Sequence, residues 1–123
     1  MKRVSSKRAA LMRVVERERD LFRSVMQSCM ICGVRAVDVH EIAQGAAREA
    51  ALAERCAWLL LCRRCHADVH DQSEWPIARQ LALKLLRDCD FLDIDRVCEL
   101  RGRAVGAITL SEVVAHLEMV DLH

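Results

Sequence analysis

Two cysteine pairs, Cys29-Met30-Ile31-Cys32 and Cys62-Arg63-Arg64-Cys65, constrain this 123-residue chain more than any other feature. A C-x2-C knuckle brings two thiolates to the spacing that one tetrahedral Zn2+ requires. The pairs are 29 residues apart, so one shared ion draws two distant segments together. Four thiolates leave no coordination position open, and the expected role of Cys29, Cys32, Cys62 and Cys65 is therefore to hold a structural zinc. Free cysteines packing as small apolar groups would explain neither the pairing nor the spacing. Gly33 follows the first knuckle, where a positive φ is often needed. The remaining cysteines, Cys56, Cys89 and Cys98, have no ligand spacing and read as small core residues.

Composition bounds the rest. The N-terminus carries positive charge with no long apolar stretch behind it, so it does not read as a signal peptide, and the expected location is cytoplasmic. In such a compartment paired cysteines bind metal more often than they form disulfides. At 53% apolar residues and a net charge of +1, disorder is not expected. No apolar run approaches the roughly 18 residues of a membrane span. One Pro and four Gly against sixteen Ala predict a mostly helical chain. The length fits one domain, residues 1–123, in three parts. Residues 1–28 hold eight basic and three acidic side chains, a net of +5. Residues 29–72 hold five and six, a net of −1, and residues 73–123 hold six and nine, a net of −3. The basic end is the natural place for a polyanion to touch.

The spacing predicts a helix from about Ser6 to Gln27, capped by Ser5 or Ser6, with Leu11, Val14, Val15, Leu21, Phe22, Val25 and Met26 on one stripe. That stripe can serve a homodimer as easily as a core. Arg13, Glu16, Arg17, Arg19 and Arg23 fall on the other face, either solvated or gripping phosphates. Val34 to Ile42 reads as extended, Ala57 to Leu61 as a short strand, and Arg63 to His70 as a helix. Further on, Ser73 is a candidate N-cap, with Pro76 in the first turn of a helix to about Arg87. A turn with Asp caps, a helix through Val97 and Leu100, and breaks at Gly102 and Gly106 follow. Thr109-Leu110-Ser111-Glu112 is a capping box opening a last amphipathic helix.

Three histidines add a second constellation. His66-x3-His70 puts two imidazoles on one helix face, and His40, in Asp38-Val39-His40-Glu41-Ile42, supplies a third if the chain folds back. Three neutral imidazoles with open positions describe a catalytic rather than a structural metal site. Together the stretches CMICG, DVHEI and LLLCRRCHADVH resemble the zinc-containing, four-cysteine branch of the HNH (ββα-metal) endonucleases over about residues 28–71. The resemblance implies an α+β fold: a small zinc-stapled ββα unit between the N-terminal helix and C-terminal helices. It implies DNA phosphodiester hydrolysis with His40, His66 and His70 holding a second divalent cation, Mg2+, Mn2+, Ni2+ or Zn2+. It implies further that Glu41 stands where the family has a second His as general base, and that Ala57 stands at the middle Asn.

A carboxylate can take a proton from water, though near neutrality it is a weaker base than imidazole. In an alternative register His40 is the base and Asp38 a ligand; these two would share one strand face, with Glu41 on the other. Arg48, Arg63 and Arg64, together with Arg13 and Arg17 of the first helix, are candidates for DNA backbone contacts. The alternative function is a catalytically degenerate zinc module that binds DNA or a protein partner.

Overall fold

The structure, a computed structural model, describes residues 6–43, 52–71 and 73–121. Ser5, Gly45 and Arg48 lie outside the described residues. The architecture is α+β and mostly helical, as expected: a two-stranded antiparallel sheet with helices before and after it. In chain order come α1 (Ser6–Met26), β1 (Asp38–Glu41), β2 (Trp58–Leu61), α2 (Arg63–Asp71), α3 (Ile77–Arg87), α4 (Ile94–Leu100), α5 (Leu110–Ala115) and α6 (Leu117–Asp121). No helix among the described residues is long and apolar enough to cross a membrane.

The hairpin register is Asp38 opposite Leu61, Val39 opposite Leu60, His40 opposite Leu59 and Glu41 opposite Trp58. Side chains alternate between sheet faces, and paired residues share a face. Trp58 and Glu41 therefore point one way, and Asp38 and His40 the other. α1 covers the first face: Phe22 packs on Trp58 with ring centroids 5.5 Å apart. α2 covers the second. All four residues of β2 are buried, which suits an apolar run enclosed on both sides.

The N-terminal stripe is narrower than expected. Only Val15 and Phe22 are buried in α1, whereas Val14, Leu21 and Val25 are exposed. The helix meets the sheet along one line, residues 15, 19, 22 and 26, which advances by the i, i+4, i+7 rule. Arg19 lies on that line, contrary to its expected place on the solvent face. Its guanidinium lies over the Trp58 ring, 5.2 Å from the centroid.

Other boundaries moved as well. The extended run from Val34 narrows to β1 plus an isolated bridge between Ser28 and Arg35. Ala57 closes a 3-10 turn, Arg55–Ala57, rather than opening β2. Ser73 does not cap α3; its hydroxyl donates to Asp71, and Pro76 holds the N-cap position without a side-chain bond. Of the three unpaired cysteines, Cys98 is buried, Cys56 half-buried and Cys89 exposed, so the core expectation fails at Cys89. The Thr109–Glu112 capping box is present, and Asp93 accepts from the Arg96 N–H at the start of α4. The last amphipathic segment is split at His116 into α5 and α6, which fold against α3.

α3 carries two polar residues on its buried face. Lys84 is fully buried, and its three protons find the carbonyls of Arg55 and Trp58 and the carboxylate of Asp88 at 2.7–2.8 Å. This pin joins the helical extension to the entry of β2. A buried ammonium is tolerated when every donor is satisfied. Burial still pushes its pKa down, against the opposing pull of Asp88.

Candidate metal centres

The first centre is built by backbone turns. Gly33 adopts φ +82°, a left-handed conformation that costs a residue without Cβ little. It lets the Gly33 N–H reach the Cys29 carbonyl at 2.9 Å while the Cys29 N–H donates to Val34 at 2.7 Å. The Met30 N–H donates to the Leu60 carbonyl at 2.9 Å, docking this knuckle beside β2. β2 runs directly into Cys62, where α2 begins. There the Cys65 N–H faces the Cys62 sulfur at 3.5 Å, and the His66 N–H closes on the Cys62 carbonyl at 2.8 Å.

The result brings Cys29, Cys32, Cys62 and Cys65 together with all four sulfurs within 4.8 Å of one another. Cys32 and Cys62 are 3.7 Å apart. Zn–S bonds of about 2.3 Å in a tetrahedron put sulfurs roughly 3.8 Å apart, so the donor set fits a zinc-like ion. Electrostatics point the same way. Burial opposes the Cys29 thiolate, but backbone N–H groups of Cys32, Cys62 and Ile31 outweigh it and bring its pKa down to about 7. Burial pushes the Cys65 thiol up, and the neighbouring sulfurs push it further. The crowded thiols thus resist ionising together on their own, and a bound cation would supply the charge that deprotonates them as ligands.

The second group occupies the α2 face of the hairpin. Strand alternation aims Asp38 and His40 toward α2, and His66 meets both. The His66 Nδ1–H donates to Asp38 Oδ2 at 3.1 Å. The rings of His40 and His66 lie 5.2 Å apart, edge to face, and those of His66 and His70 lie 6.4 Å apart. His40 is fully buried, His66 half-buried and His70 exposed, so the group runs from core to surface. Burial, with the neighbouring His66 and His70, takes the His40 pKa down to about 4, even though the hydrogen bond to Gln80 works the other way. His40 is thus neutral near pH 7, with one ring nitrogen carrying a lone pair. Asp38 is partly buried, which favours its neutral form, but hydrogen bonds from His66 and Arg63 outweigh this and hold its carboxyl below the usual range. Among the described residues, the four sulfurs are the only set of three or more such donors packed within 4.8 Å; the imidazoles are spaced more openly.

Glu41 is turned away from this group. It lies on the α1 face, 3.6 Å from Arg19. Ala57 is buried, and its carbonyl accepts from the Ile42 N–H at 2.7 Å. Of the proposed phosphate contacts, Arg63 reaches the histidine face, donating to Asp38 Oδ2 at 3.1 Å with its side chain 90% exposed. Arg64 is exposed on α2. Arg13 and Arg17 are exposed on α1, the helix that covers the other sheet face.

Sequence reasoning passed over Gln80, the partner of His40 at 2.8 Å. A signal was available: Gln80 and Lys84 are polar residues four apart, flanking Leu81 on the apolar side of α3. Buried polar side chains need partners, so such a pair points at something across the interface. No protein-family model, curated protein or solved structure matches this chain.

Proposed function

We propose that this chain is a metal-dependent endonuclease of the HNH type, hydrolysing DNA phosphodiesters on the α2 side of its hairpin. One observation carries the reading: two of the three imidazoles have their tautomers set by buried or half-buried partners, Asp38 for His66 and Gln80 for His40. That arrangement is how ligating histidines are oriented. His66 then offers Nε2, His40 offers Nδ1, and His70 completes the donors from the next turn of α2. Imidazole donors suit Zn2+ or Ni2+ better than Mg2+ or Mn2+. A divalent cation supplies Lewis-acid stabilisation of charge building on the phosphate oxygens. The low pKa of His40 favours a ligand over a base, since a base works best with a pKa near the operating pH. Exposed Arg63 positions a phosphate beside the imidazoles, and Asp38 keeps the guanidinium from swinging freely. Glu41 enters as base only by leaving Arg19 and turning around the end of β1.

The test is nicking of supercoiled plasmid by the zinc-loaded full chain with Mn2+, Ni2+ or Mg2+. Cutting is expected, and is expected to vanish in His66→Ala with zinc content unchanged. Absence of cutting with every cation, at micromolar folded protein, sinks the reading. Retained cutting in Glu41→Gln removes Glu41 from the reaction and leaves the nuclease standing.

A second reading has its own support. The Glu41–Arg19 pair and the buried Ala57 leave the α2 face without the family's base and Asn, which fits a zinc module that binds DNA without cutting it. Binding in a gel shift with no cleavage in the plasmid assay would select it.

A further inference from the structure

Gln80 belongs to α3, outside the hairpin and α2, yet its side chain is fully buried against His40. Its amide has only one orientation consistent with both neighbours. The Gln80 Nε2 donates to the Trp75 carbonyl at 2.9 Å, which can only accept. The Gln80 oxygen therefore faces His40 Nε2, at 2.8 Å, and can only accept in turn. His40 Nε2 must carry the proton, and Nδ1 keeps the lone pair. With His40 and Gln80 both buried, water does not compete for either bond. A position flanked by Ile77 and Leu81 would otherwise take an apolar residue, because a buried amide is costly unless both ends are bonded.

We propose that Gln80 is a positioning residue: it locks His40 in the Nε2–H tautomer so that Nδ1 is presented to the divalent cation of the histidine site. This rests on the nuclease reading and extends it. The Trp75 carbonyl fixes Gln80, Gln80 fixes His40, and the helical extension becomes part of the site rather than an appendage to it. The residue acts through His40 and touches neither cation nor DNA.

The experiment uses the full chain loaded with zinc at the cysteines, as wild type, Gln80→Leu and Gln80→Glu. Long-range 15N–1H NMR correlations of the imidazoles read the tautomer with no second cation and no DNA. Wild-type His40 should show protonated Nε2 alone. Gln80→Leu should show both tautomers, and Gln80→Glu should restore the wild-type pattern as the buried neutral acid, its hydroxyl donating to the Trp75 carbonyl and its carbonyl oxygen accepting from His40. Calorimetric titration with Mn2+ or Ni2+ should then show a roughly 10- to 100-fold weaker second site in Gln80→Leu. Gln80→Glu should stay within about tenfold of wild type.

A protonated Nδ1 in wild-type His40 overturns the proposal, and this needs no variant to fold. Wild type with the expected tautomer but no second cation bound overturns the positioning role together with the nuclease reading. Wild type that binds the cation and cuts DNA, with folded Gln80→Leu doing both equally well, overturns the positioning role alone.

Discussion

The cysteine end and the histidine face of this small unit are built on opposite plans. At the cysteine end the backbone does the positioning: two knuckles, a left-handed glycine and the start of α2 bring four sulfurs within 4.8 Å. At the histidine face the backbone supplies only a strand and a helix, and side chains from β1 and α3 hold the rings. The rings stay 5.2 and 6.4 Å apart, and the outermost, His70, is exposed. A closed, compact donor set suits an ion that never leaves, and among the described residues the imidazoles do not converge that closely.

If that contrast is sound, the two ends should respond differently to perturbation. The largest effect should come from the cysteines. Stripping the ion with a strong chelator, or Cys62→Ser, should abolish cooperative thermal unfolding, because binding of a structural zinc is worth on the order of 10 kcal/mol to folding. Calorimetry and zinc analysis check this; an unchanged transition without metal would remove the structural role. Next comes activity: His40→Ala should lower plasmid nicking by about a thousandfold, several kcal/mol of lost transition-state stabilisation, while zinc content stays at one per chain.

Acid should act through the histidine face. With its folded pKa near 4 and an ordinary value of 6.5, His40 refuses a proton that the unfolded chain accepts. Its contribution is complete above pH 6.5 and is lost as pH falls toward 4, a change of about 3 kcal/mol. Urea unfolding of wild type and His40→Gln across this range should show that extra slope in wild type alone, since acid release of the cysteine ion is common to both. The smallest effect belongs to Arg63. Arg63→Ala should weaken DNA binding uniformly across sequences and reduce the dependence on log salt by about one. An equal loss in Arg13→Ala would show that DNA spans both sheet faces.

Much of the cysteine end was legible in the residues. Spacing within each pair is local chemistry, and Gly33 sits where the first knuckle needs it. The capping box at Thr109 and the Asp93 cap were equally local, because such bonds form within one turn of chain. The exposed half of the α1 stripe was not legible, since periodicity reveals a face but not how much of it a neighbour covers. For the same reason Arg19 read as solvated and proved to lie over the Trp58 ring.

The sequence by itself determined a mostly helical α+β chain, the four sulfur donors and the three imidazoles, since residue type, spacing and propensity are properties of short segments. Tertiary structure alone decided which strand face each residue of Asp38–Glu41 occupies, that Glu41 meets Arg19, and that Gln80 from a helix 40 positions away holds His40. Those outcomes depend on register and packing between distant segments, and a buried hydrogen bond exists only once both partners have been brought out of water to the same place.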